Sequence, residues 1–143
     1  MTSVIVDTAQ RVAAVPSAEF PTASVYRGYR PNLDFTSDFD GRIMTVIPTE
    51  TDYLMESRAR MRSDVSIQVA IAERIANPLD SVAQLDALMS HAQDVLQELQ
   101  DLGDGISPVT VAQIEGISER EHDEMYIAMT VLEVTYRRSY NVG

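Results

Sequence analysis

The stretch Ser63-Asp64-Val65-Ser66-Ile67-Gln68-Val69-Ala70-Ile71-Ala72-Glu73-Arg74-Ile75 decides how the chain folds. Val65, Ile67, Val69 and Ile71 recur at every second position, with Ser66, Gln68, Ala70 and Ala72 between them. Side chains alternate across a strand, so this period predicts a strand with one buried face. Asn77-Pro78 breaks it. The next stretch supplies a layer to pack on that face. Between Asp80 and Leu102, the residues Val82, Leu85, Leu88, Met89, Ala92, Leu96, Leu99 and Leu102 form the apolar stripe of a long helix. Ser81 with Gln84 has capping-box spacing, and Asp80 is a second cap candidate. Gly103 stands where a left-handed C-terminal stop belongs.

Upstream of the decisive strand, Thr49 to Arg62 is polar and mixed, and reads as a long loop or an extended hairpin arm. Arg42 to Ile47 predicts a strand closed by Pro48, and Asn32 to Gly41 a turn-rich link. Ser24 to Arg30, with Val25, Tyr26 and Tyr29, predicts a strand ended by Pro31 and Asn32. Ile5, Ala9, Val12 and Ala13 predict a short amphipathic helix over Ser3 to Val15, stopped by Pro16, and Pro16 to Pro21 reads as a rigid connector. Downstream of the long helix, Val109 to Gln113 predicts a strand, Glu115 to Glu124 an acidic link, and Met125 to Arg138 a final strand. In that last strand Ile127, Met129 and Val131 share one parity, while Leu132, Val134 and Tyr136 share the other. A β-bulge near Val131-Leu132, or burial on both faces, accounts for the switch. The order of elements lacks the regular strand–helix alternation of a parallel sheet. It predicts an α+β fold: an antiparallel sheet of four to five strands, one long helix packed on a face, and a short N-terminal helix. The 143 residues suit one domain, 1–143, with the arm at about 49–62.

Composition narrows the function classes. No cysteine occurs, which excludes disulfides and thiolate chemistry and fits a reducing cytoplasm. No apolar run approaches the roughly 18 residues of a membrane span, so no membrane partner is expected. The opening Met1-Thr2-Ser3-Val4-Ile5-Val6-Asp7 has no basic region and predicts no secretory signal. Twenty-two acidic residues stand against 11 basic ones, for a net charge of −11, and every basic residue is arginine. Such a chain is poorly suited to wrapping nucleic acid, which requires clustered positive charge. Arginine pairs bidentately with carboxylates at interfaces, where lysine is a weaker substitute.

Catalytic chemistry finds no foothold. His91 and His122 are the only histidines, and neither has a second histidine within metal-ligand spacing. Asp34, Asp38, Asp40 and Gly41 suggest a calcium loop, but with Gly41 at the sixth position the twelfth is Ile47, where a carboxylate is required. Those residues read as Asx turns. The six glycines do not cluster as a phosphate loop needs. The expectation is no enzyme, no cofactor, no metal and no catalytic residue. One pattern stands out: Glu56-Ser57-Arg58-Ala59-Arg60-Met61-Arg62 places arginine at every second position, so that an extended arm projects three guanidinium groups from one side.

The run Ala18-Glu19-Phe20 through Val25-Tyr26-Arg27-Gly28-Tyr29-Arg30-Pro31, the strand to Pro48, Ser57-Arg58, the alternating strand, the long helix and the ending Val131-Leu132-Glu133-Val134-Thr135-Tyr136-Arg137-Arg138 together resemble small tail-terminator, or tail-completion, proteins of tailed bacteriophages. The resemblance spans about Ala18 to Tyr140 and rests on the order of elements. It implies an antiparallel sheet with flanking helices. It also implies a homo-oligomeric ring, a hexamer in most members, at the head-proximal end of the tail. Such a ring ends tail-tube polymerisation and joins the tail to the neck, while DNA passes through the lumen without specific binding. The partners implied are the tail tube protein and the head–tail connector or neck proteins. The chain would be made in the host cytoplasm and end in the virion. The nearest rival is another neck component, an adaptor or stopper. From other classes come a soluble α+β ligand-binding or regulatory domain, and a small enzyme using a carboxylate pair. For a ring, the charged stretches predict a subunit interface in which Arg58, Arg60 and Arg62 face Glu119, Glu121, Asp123 and Glu124 of a neighbour.

Overall fold

The alternating stretch lies at the heart of a six-stranded sheet. The computed structural model describes residues 3–20, 23–35, 41–75, 81–103, 105–122 and 125–141. The chain runs α1 (Val4–Glu19), β1 (Ser24–Arg27), β2 (Arg42–Ser57), β3 (Arg60–Arg74), α2 (Val82–Glu98), β4 (Val111–Ile114), β5 (Ser118–His122) and β6 (Met125–Asn141). The sheet order is β1-β2-β3-β6-β4, with β5 also on β6. This corrects the expected fold class. There are six strands rather than four to five, and the sheet is mixed, because β1 pairs parallel to β2. The helices have 16 and 17 residues, and both pack on the sheet. Leu33 and Phe35 cover the face opposite the helices with Ile43, Ala70, Ala72, Ile127 and Met129. Those two apolar side chains give the link a buried role that its turn-forming residues conceal.

Each face has its own core. Val65, Ile67, Val69 and Ile71 of β3 meet Met44 and Val46 of β2, Leu132, Val134 and Tyr136 of β6, and both helices. The parity switch in β6 follows from burial on both faces. Its register with β3 is unbroken from Arg60↔Asn141 to Arg74↔Ile127, so no bulge interrupts that pairing. The irregularity lies on the other side of β6. Ile114 faces Leu132 and Ser118 faces Met129, so three residues oppose two between them.

Several local expectations give way to packing. Pro16 does not stop α1, and the presumed connector is partly helical. The Phe20 amide donates to the Pro16 carbonyl at 2.9 Å, and the Phe20 ring meets His91 of α2 edge-on, 4.9 Å between centroids. A helix-interior proline costs ~3 kcal/mol, and that ring contact, worth about 0.5–1.5 kcal/mol, recovers part of it. Pro48 does not close β2 either. Pairing with β1 ends at Val46, so Pro48 lies on an open edge, where a missing amide is tolerated, and the register slips between Pro48 and Glu50. The first strand stops at Arg27 rather than Arg30, and the strand expected over Val109 to Gln113 is shifted to Val111–Ile114. The long helix is shorter than expected. Asn77-Pro78 and Asp80 lie outside the described residues. Ser81 makes no side-chain cap, because its backbone is helical (φ −116°, ψ 0°) rather than extended, and the Gln84 side-chain amide donates to the Arg74 carbonyl at 2.8 Å, tying α2 to the end of β3. Leu88, Ala92 and Leu99 of the stripe are buried, joined by Val95, while Val82 is exposed. Gly103 is left-handed (φ 69°) but stands beyond the helix end at Leu99. The acidic link is not a simple connection, for it contains β5.

Candidate functional site

The predicted arm is a hairpin. β2 and β3 continue their antiparallel pairing out to Ser57↔Arg60, around a turn at Arg58-Ala59. β6 follows β3 to the same end, so the arm is a three-stranded ribbon. Tyr53, Leu54 and Met55 are exposed along it. The three arginines do not form the single row expected of an uninterrupted strand. Arg60 and Arg62 share one face of β3, whereas Arg58 sits in the turn. Arg60 pairs with Glu56 (3.3 Å) and Arg62 with Asp64 (3.7 Å), and Arg137 of β6 reaches the same Asp64 (3.2 Å). These partly exposed pairs contribute at most about 1 kcal/mol each. Arg58 makes no ion pair among the described residues. On the inner side, Arg138 binds Asp7 at 2.7 Å and Thr8 at 3.2 Å, clamping α1 to the base of the arm.

The acidic residues lie at the other end of the sheet. Glu119 and Glu121 are exposed on β5, opposite Ala128 and Tyr126 of β6. Asp123 and Glu124 fall outside the described residues. Arg62 pairs with Ser139 while Glu121 pairs with Tyr126, so 13 positions of β6 separate the two groups, about 40 Å at strand rise. Within one subunit they cannot meet. The separation also polarises the charge. Residues 49–64 with Arg137 and Arg138 hold five of the 11 arginines against four carboxylates, a net +1, which leaves −12 for the rest.

A cluster that sequence reading missed lies at the acidic end. A cleft of about 460 Å³ is lined by Phe20, Arg42, Glu73, His91 and Asp94, among others. Arg42, Glu73, Ala128 and Glu119 form one row across four strands, through the pairs Arg42↔Glu73, Glu73↔Ala128 and Glu119↔Ala128. Directly opposed residues share a face, so Glu73 and Glu119 both lie on the helix side. Arg42 Nε binds Glu73 Oε2 at 3.0 Å, but the buried Oε1 has no hydrogen-bond partner, and neither has His91 Nδ1. A signal for this site stands in the sequence: Glu73 continues the inward parity of Val65, Ile67, Val69 and Ile71, where a carboxylate is out of place.

Burial lowers the pKa of His91, and Arg42 lowers it further against an opposing pull from Asp94. The folded state therefore holds His91 neutral where the unfolded chain protonates it. Stability contributed by this group is present above the ordinary value near 6.5 and is lost as pH falls through it. We expect the melting temperature of the parent to drop more than that of His91→Gln between pH 7 and pH 5. Parallel profiles from calorimetry would show that His91 carries no such linkage.

Among the described residues, no group of three His, Asp or Glu side chains is placed to hold a metal. His91 sits on the helix face and His122 at the end of β5, opposite Met125, which packs on the far face. The two histidines therefore lie on opposite sides of the sheet. No described helix is long and apolar enough to cross a membrane. No protein-family model matches the chain, and no curated protein matches it.

Proposed function

We propose that the chain is a structural subunit of a tailed-phage particle, one copy in a homo-oligomeric ring at the head-proximal end of the tail. The observation that carries this reading is the separation of complementary groups. An arginine-rich arm and a carboxylate-rich edge lie about 40 Å apart on one sheet. Groups that cannot meet within a subunit can meet between subunits, head to tail, and such heterologous contacts close into rings when the rotation allows. The sheet-dominated architecture fits a terminator better than a mostly helical adaptor, the nearest alternative. The net charge of −11 suits a lumen that conducts DNA without holding it, since acidic walls repel phosphates.

The test is a native mass measurement at rising concentration, alone and with tail tubes, together with the position of the chain in a particle map. We expect a closed ring, and no salt-sensitive retardation of labelled duplex DNA by the purified protein. An isolated monomer in the particle would reject the ring, and duplex binding that weakens steeply with salt would reject the repelling lumen.

A further inference from the structure

The cleft at the acidic end has features of a receptor. Glu73 is nine-tenths buried, with one carboxylate oxygen on Arg42 and the other unpartnered. A buried charge whose hydrogen-bonding capacity is half used is costly, and a donor from outside would relieve it. Asp94 is exposed on α2 at the same cleft, without an ion pair among the described residues. With His91 held neutral, Glu73 and Asp94 outweigh Arg42, and the cleft carries one net negative charge. Phe20 adds an aromatic wall. This combination suits a planar monocation that donates several hydrogen bonds, which describes a guanidinium group.

The other end of the same sheet presents one. Arg58 occupies the tip of the arm and is exposed, while Arg60 and Arg62 are engaged within their own chain. From Arg60 to Glu73 there are 13 strand positions, about 43 Å, so Arg58 cannot enter its own cleft. We infer that the cleft formed by Glu73, Asp94, His91 and Phe20 receives Arg58 from the arm of a second copy of this chain. The inference rests on the ring reading and gives it an address. The exposed Glu119 and Glu121, at the same end of the sheet, then flank the incoming arm and face its other arginines.

The absence of cysteine allows a clean test. Ala59→Cys places a thiol beside Arg58 at the tip, and Gln97→Cys places one on α2, one turn from Asp94 and exposed. The two single variants are mixed and treated with a short bismaleimide. We expect a linked heterodimer from the mixture and none from either variant alone. Adding Arg58→Asp to the tip variant should reduce the product at least tenfold, and adding Asp94→Arg to its partner should restore it. Tip-to-tip linkage of the Ala59→Cys variant with itself would overturn the inference, as would a yield indifferent to Arg58. No linkage while the parent still forms rings would overturn the cleft as the docking point and leave the ring standing. No linkage and no ring, in solution or in particles, would sink both. Calorimetric binding of free agmatine without any linkage would assign the cleft to a small cation and overturn the second copy as its occupant.

Discussion

Reversing the arm, with Arg58→Glu, Arg60→Glu and Arg62→Glu together, is expected to abolish ring formation while leaving the subunit folded. The three changes move the net charge of each copy from −11 to −17. The intramolecular pairs they break are partly exposed and each worth about 1 kcal/mol or less, so the melting temperature should fall by only a few degrees. Between copies the effect is larger, because each reversed residue then meets carboxylates. Like charges across an interface cost several kcal/mol, so association should weaken by roughly 100-fold or more. A ring repeats that penalty at every boundary. Sedimentation at fixed concentration reads the loss. Glu119→Arg with Glu121→Arg in the same chain should recover part of it. A triple variant that assembles as the parent does would reduce the arm to a solvated hairpin.

The largest stability effect is expected at Tyr136. It is the bulkiest of the fully buried side chains, and its hydroxyl donates to the Leu99 carbonyl at 2.5 Å. Leu99 is the C-cap of α2, where carbonyls lack intrahelical partners, so this one bond both satisfies a helix end and fixes α2 to the sheet. Burial pushes the phenol pKa far above its ordinary value, so the donor keeps its proton throughout the neutral range. That preference contributes stability below the unfolded value near 10, and the contribution is lost as pH rises past it. Tyr136→Ala should cost about 3–5 kcal/mol through lost burial and the cavity left behind, a fall of roughly 10–15 °C in melting temperature. Tyr136→Phe should cost about 1–3 kcal/mol, because the carbonyl is left unsatisfied. If the Phe variant melts with the parent, the carbonyl has found another donor and the hydroxyl is not the tie.

What was legible in the sequence is what depends on local period. The parity of Val65 to Ile71 is written in alternation, whereas the polar stretch 49–62 read equally as a loop or a hairpin, and the parity switch of β6 as a bulge or burial on both faces, until the pairing with β3 was seen. What was not legible depends on distant partners. Pro16 and Pro48 read as stops until Phe20 is seen against His91, and until β1 is seen to end opposite Val46. The burial of Leu33 and Phe35 was hidden too, two apolar residues within a stretch that otherwise reads as turns. β5 escaped notice because Ser118 to His122 is exposed at every position, so no alternation marks it. The charged runs proposed for an interface, Arg58 to Arg62 and Glu119 to Glu124, stand out in the sequence, whereas the cleft of Glu73, His91 and Asp94 does not, because those residues come together from a strand and a helix far apart in the chain.

The place of β6 carries a consequence for synthesis. It is the last described strand, yet it sits between β3 and the β4–β5 edge. During translation β2 and β3 can zip together early, but the far edge of β3 has no neighbour until β6 leaves the ribosome. Until then Val65, Ile67, Val69 and Ile71 form an unsatisfied template, open to pairing with the same edge of another nascent chain. Arg60, Arg62 and Asp64 interrupt that template with charge and act as gatekeepers at its outer end. Closure of the sheet is thus a late, non-local event that awaits β6, and it sets the interval in which a chaperone or an aggregate competes for the chain.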